Sequence, residues 1–238
     1  MPIIKTIHVC YEEGLDVLAP YIKEALEDVM ACFPRYKDKY PIKILGNWYN
    51  KEGPHESVGW YIKNAKKRAI TEGRMNQIST DQYMEDMASD PWVKKIPQWQ
   101  ILITKQDLYG HGVNWCLGRS EEDQGCIVST ARFLRENEFD LEDFKTVLMH
   151  EFGHIISLTN EQRVHTEEQA GPHCTNTGCI MQQRMDGNFK DITQIRLAAK
   201  RLYGLPPICQ DCINEGNKFF ARQEVIYNKI HGITSYTR

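Results

Sequence analysis

Residues 150 to 154 read His150-Glu151-Phe152-Gly153-His154. On a helix, positions i and i+4 stand one above the other on the same face, so both imidazoles can reach one metal ion. Glu151 sits about 100° further round, close enough to take a proton from a water held there without being a ligand. Two imidazoles with a carboxylate alongside are the parts of a hydrolytic zinc site. The competing explanation is a pair of neutral core histidines. Inside an apolar helix those would still need polar partners, because buried polar groups must be satisfied.

A second set of residues has metal-binding chemistry. Of the eight cysteines, Cys10, Cys32, Cys116 and Cys126 are scattered, mostly in apolar contexts where a thiol acts as a small hydrophobe. The other four form the pairs Cys174-x4-Cys179 and Cys209-x-x-Cys212. Short spacers in a chain with no secretion signal favour a tetrahedral thiolate zinc site, clipping two distant loops together, over disulfides. A redox Cys-x-x-Cys is the alternative.

The histidine pair needs a helix, and the sequence supplies one. Asp140 is placed to cap it, and Glu142 and Asp143 fall in the first turn, where the helix dipole favours negative charge. Leu141, Phe144, Leu148, Phe152 and Ile155 form an apolar stripe at spacings of three and four. The histidines run beside that stripe, in line with Asp143, Thr146 and Val147.

Upstream, strands are expected at Ile3–Val9, Pro41–Leu45, Asn76–Ser79, Trp99–Thr104 and Cys126–Ala131. Helices are expected at Leu15–Phe33, Tyr61–Thr71, from an N-cap at Thr80 to Ser89, and at Asp191–Tyr203. This alternation implies a mixed sheet with helices packed on it. Residues 105–125, rich in Gly, Asn and polar types, read as an irregular rim beside the site. Gly125 to Phe133 reads equally as an exposed edge strand able to pair with a peptide or as a core strand. The last third reads as loops, one helix and the cysteine clips.

At 238 residues, the chain is long enough for a substantial core. Its 29 basic and 32 acidic residues give a net charge of -3, with no footprint for nucleic acid. No apolar stretch is long enough to span a membrane. The N-terminus alternates like a strand and lacks a signal peptide's apolar core, so a cytoplasmic location is expected.

The histidine motif, then His173-Cys174, Cys174-x4-Cys179 with Met181, and Cys209-x-x-Cys212 together resemble the archaemetzincin (archaelysin) family of metzincin-clan metalloproteases. Thr104–Tyr109 and Cys126–Arg132 look like that family's strands ahead of the catalytic helix. The resemblance covers about residues 99 to 212. It implies an α+β, metzincin-like fold: one domain over 1–238, with an upper part (1–158) and a smaller C-terminal part (159–238). It also implies two zinc ions per chain. One is catalytic, on three histidines above a methionine turn at Met181, and one is structural, on Cys174, Cys179, Cys209 and Cys212.

The chain departs from the family in carrying Ser157 and Asn160 where a turn glycine and the third histidine stand. A polar stretch over 161–172 reads as an insertion, and the second cysteine pair lies further along the chain than usual. Asn160 offers a poor zinc ligand beside imidazole. His173 precedes Cys174 as the third ligand does in the family, and Gly171-Pro172 would stiffen its approach. His165 is the runner-up. The expected activity is peptide-bond hydrolysis with Glu151 as general base, acting on a peptide or protein and involving neither nucleic acid nor membrane. The alternative is a zinc-binding protein on the same fold that is inactive or acts on something other than peptides.

Overall fold

Ile101-Leu102-Ile103 and Ile127-Val128 have no polar face to show to water, the mark of strands covered on both sides. The computed structural model describes residues 2–47, 58–110, 112–135, 138–160, 165–168, 171–183 and 189–233. Its first part runs β1 (Thr6–Tyr11), α1 (Ala19–Ala31), β2 (Ile42–Gly46), α2 (Val58–Thr71), β3 (Gln77–Ser79), α3 (Thr80–Ser89), α4 (Pro91–Lys95) and β4 (Gln98–Thr104). Then come β5 (Asp107–Gly110), β6 (Val113–Cys116), β7 (Gly118–Glu121), β8 (Gly125–Ser129), β9 (Leu134–Arg135), β10 (Glu138–Phe139) and α5 (Leu141–Ile155). The remainder is β11 (Thr166–Glu168), β12 (Pro172–Cys174), α6 (Lys190–Tyr203) and α7 (Gln210–Ile230).

The main sheet has the order β2-β1-β4-β8-β7. Its first four strands are parallel, and β7 runs antiparallel at the edge. Register puts Ile7, Val9 and Tyr11 of β1 beside Trp99, Ile101 and Ile103 of β4, with Cys126 and Val128 of β8 continuing the row. That face forms the larger core with α1, α5 and α7. The alternate residues Cys10, Leu102 and Ile127 face the other way, onto α2 and α3, as a period of two requires. A mixed sheet between helices is therefore what the alternating pattern produces.

The structure decides one open alternative and differs from expectation in two other stretches. The strand Gly125–Ser129 is paired on both sides and wholly buried, so it is a core strand, and the sheet's edge is β7. Residues 105–125 hold three strands of four residues each, two of which join β3 in a separate three-stranded sheet. Their polar composition gives no alternation to read. Most consequentially, the expected loops after Tyr203 include α7, a helix of 21 residues. The cap of α3 also shifts by one: the Ser79 hydroxyl, rather than Thr80, accepts from the Gln82 N–H at 3.3 Å. Among the described residues no helix is long and apolar enough to cross a membrane.

Candidate metal centres and active site

Helix α5 positions the histidine motif, and it is buried on almost every side. Asp140 caps it, accepting from the Asp143 N–H at 3.3 Å. Its polar residues are matched by neighbours: Lys145 pairs with Glu24 of α1 at 3.1 Å, and Arg196 of α6 donates to Glu142 at 2.8 Å. The helix is thus fixed by apolar packing below and by satisfied polar contacts at its flanks, which makes it a rigid base for ligands.

His150, His154 and His173 converge. The Nε2 atom of His154 lies 3.2 Å from that of His150 and 3.2 Å from that of His173. Nδ1 of His150 donates to the Ile180 carbonyl at 2.6 Å, and Nδ1 of His173 donates to the Gly171 carbonyl at 2.8 Å. Each of those bonds uses the ring's one neutral-state proton and leaves a lone pair on Nε2. Three nitrogens tetrahedrally placed at zinc–imidazole bond lengths stand about 3.3 Å apart, close to what is seen. Burial holds His150 down at about 3, helped by the charge of His173, and together with the neighbouring His150 and His173 it holds His154 well below the ordinary imidazole value. Burial thus favours the neutral form of the two rings on α5, the form a ligand needs. Phe189, which nothing in the sequence singled out, stands edge-on to His150 with centroids 5.6 Å apart.

Met181 is fully buried and packs against Gly153, inside the motif. A Cβ at residue 153 would run into the Met181 sulfur, which explains the glycine inside the motif. The chain leaves α5 through Ser157 at a φ of 53°, so the serine adopts the left-handed turn for which glycine is the easier residue. Asn160 points away from the histidines, its amide donating to Glu215 of α7 at 2.6 Å.

Two strands, β11 and β12, pair antiparallel and deliver His173. In β11 and β12, Glu167 lies opposite His173 and Thr166 opposite Cys174. The Thr159 hydroxyl donates to the Pro172 carbonyl at 2.6 Å and ties the strand pair to the end of α5. His165 lies just ahead of β11, exposed and outside the imidazole cluster. Residues 161–164 and 169–170 of the expected insertion lie outside the described residues.

Glu151 is buried, 9 % exposed, and points at the edge strand. The Ser120 hydroxyl contacts its carboxylate Oε2 and lies 2.9 Å from its main-chain oxygen. Burial pushes the carboxyl up to about 7, with the Ser120 bond and the charge of Arg119 pulling the other way. A carboxyl balanced near neutrality can both take up and return a proton.

Cys174, Cys179, Cys209 and Cys212 form a second cluster, their sulfurs all within 4.8 Å of one another. Cys174 and Cys209 are 3.7 Å apart, and Cys179 and Cys212 3.6 Å. A disulfide needs about 2.05 Å, whereas four thiolates around zinc stand about 3.8 Å apart. Three N–H groups point at the sulfurs: main-chain Asn176 to Cys174 at 3.4 Å, its amide to Cys209 at 3.2 Å, and main-chain Cys209 to Cys179 at 3.5 Å. Donors aimed at sulfur stabilise thiolates. Another concavity, about 360 Å³, lies between α1, α6 and residues 204–207, but its ionic groups are already paired, Lys200 with Asp28 at 2.6 Å and Arg196 with Glu142 at 2.8 Å.

No family model matches the sequence, and no curated protein matches it. Solved structures do resemble it. An archaemetzincin from Methanopyrus kandleri superposes with a TM-score of 0.58 at 17% identity, over 92% of this chain and 97% of that one. A zinc-dependent peptidase from Methanocorpusculum labreanum gives 0.48 at 18% identity, over 89% and 100%. An archaemetzincin from Archaeoglobus fulgidus, complexed with malonate, gives 0.46 at 16%, over 88% and 99%. On the first of these, the chain has an archaemetzincin-like fold.

Proposed function

We propose that this chain is a zinc-dependent peptidase. The observation that carries the reading is the convergence of three Nε2 lone pairs, two fixed by carbonyls behind them, beside a buried carboxylate. His150, His154 and His173 would hold a catalytic zinc ion, and Cys174, Cys179, Cys209 and Cys212 a structural one. Zinc bound at the histidines would supply Lewis acidity, polarising a water and a substrate carbonyl.

The chain's own residues do the rest. Glu151 accepts the proton as water attacks the carbonyl carbon, then gives it to the departing amine nitrogen. Phe189 stands against His150, and Met181 packs on Gly153 between the two motif histidines. On its free side β7 has no strand partner among the described residues, so an extended peptide can pair along it and pass in front of Glu151.

Metal analysis joined to peptide-library cleavage at neutral pH tests the reading. Glu151→Gln is expected to keep its zinc and lose roughly 100- to 10,000-fold in rate, the usual worth of a general base. Equal cleavage by wild type and variant would overturn the mechanism. A zinc-loaded wild type that cleaves no peptide would favour a binding protein on the same fold.

A further inference from the structure

We propose that Ser120, on the edge strand, is a positioning residue for Glu151, an inference that rests on the general-base role given to Glu151 above. Gly118 and Ser120 are two apart on β7, so both point the same way. Their partners across the ladder, Val128 and Cys126, belong to the core beneath α5. That is the face on which Glu151 lies.

The strand holds Glu151 in two ways. At Gly118 a Cβ would stand 2.6 Å from Glu151 Cγ, so the missing side chain makes room for the Glu151 stem. At Ser120 the hydroxyl is the carboxylate's one hydrogen-bond partner among the described residues. A glutamate with three free torsions would otherwise wander among rotamers, and ordering such a side chain costs conformational entropy. With the strand in place the ordering is built in before substrate arrives, which is how preorganised sites gain rate.

The choice of a hydroxyl matters. It can donate to a carboxylate and accept from a carboxylic acid, while a backbone N–H can only donate. Ser120 has one proton and two Glu151 oxygens within reach, the side-chain Oε2 and the main-chain oxygen at 2.9 Å. While Glu151 lacks the proton, Ser120 donates to Oε2. Once Glu151 has taken it, the carboxyl donates to Ser120, whose own proton turns to the main-chain oxygen. The contact therefore survives both halves of proton transfer and keeps Glu151 in one place through a turnover.

The test uses the zinc-loaded full chain with Ser120→Ala and Ser120→Thr. Two quantities are read: kinetics on a cleaved peptide, and calorimetric affinity for acetohydroxamate, whose hydroxyl proton needs a nearby base when it binds zinc. Ser120→Ala is expected to lower kcat at least tenfold with KM unchanged and to weaken acetohydroxamate about tenfold, with zinc content and melting temperature held. Ser120→Thr should restore both. Wild-type kcat and hydroxamate affinity in Ser120→Ala, or no rescue by threonine, would overturn the proposal. If wild type cleaves nothing, the peptidase reading falls and the hydroxamate arm alone decides for Ser120. Should Ser120→Ala fail to fold, Ser120→Cys, similar in size with a weak donor, takes its place under the same criteria.

Discussion

His173 reaches the other two imidazoles from 19 residues beyond His154 because two anchors hold it, the Gly171 carbonyl on its Nδ1 and the strand pair tied to Thr159. His165, just ahead of β11, is exposed and lies outside the imidazole cluster. His173→Ala should therefore weaken zinc at this centre by more than the roughly 10- to 100-fold that loss of an outer partner costs, while His165→Ala leaves it unchanged. Competition titration of each variant reads this out, and the reverse pattern would sink the assignment. Glu151 offers a second test, in protein stripped of metal. Its folded carboxyl titrates near 7, above the ordinary value of 4.5. Between those values the native state keeps a proton that the unfolded chain has lost, so the group's contribution to stability fades as pH rises through this window. Glu151→Gln mimics the protonated form. It should match wild type near pH 4 and become the more stable protein by about 3 kcal/mol at most above pH 7, from roughly 1.4 kcal/mol per pKa unit. Urea melts across that range check it; a gap that stays constant or closes as pH rises would contradict the burial argument.

At the scale of elements, what the sequence disclosed was what local pattern encodes. The α5 helix was legible because Asp140, the acidic first turn and the apolar stripe are all in one stretch, and the motif histidines follow from it. The edge strand was not. Gly118-Arg119-Ser120-Glu121 has no alternation, and its place beside Glu151 is set by pairing with β8. Asn176, which donates to the Cys209 sulfur, and Phe189, beside His150, were invisible for the same reason: their meaning comes from partners far away in sequence. The cysteine clip lies between these cases, since spacing suggests two pairs and only folding brings them to 3.6 and 3.7 Å. If the cysteines hold zinc as proposed, Cys209→Ser should remove one zinc equivalent and lower the melting temperature by on the order of 10 °C, since structural zinc supplies folding free energy directly. Unchanged stability, or a Cys209–Cys212 disulfide in the mass spectrum, would count against the clip.

Across the whole molecule, α7 joins that clip to the main sheet. It starts just after Cys209 and carries Cys212 in its first turn. Seven residues on, Phe219 and Phe220 enter an aromatic group, with Phe220 centroids 4.9 Å from Tyr40 and 5.1 Å from Phe33, and Phe219 5.9 Å from Trp99 of β4. Trp99 lies in turn 6.3 Å from Phe152, inside the histidine motif. Residues before and after position 158 thus share one core, and this helix is the part the sequence hid: polar Asn214-Glu215-Gly216-Asn217-Lys218 separates the cysteine pair from Phe219 and Phe220, and the stretch after Tyr203 reads as loops and cysteine clips. Phe220→Ala should cost about 3–5 kcal/mol, the usual loss for a buried aromatic. The sharper expectation concerns coupling. If α7 transmits the rigidity of the clip to the sheet, then Cys209→Ser, by loosening the helix start, removes part of what Phe220 can stabilise. The double variant should then be less destabilised than the sum of the singles by more than the roughly 0.5 kcal/mol within which independent sites add. Denaturant melts of the four proteins measure that difference, and additivity would mean that α7 packs on the sheet without linking it to the cysteine cluster.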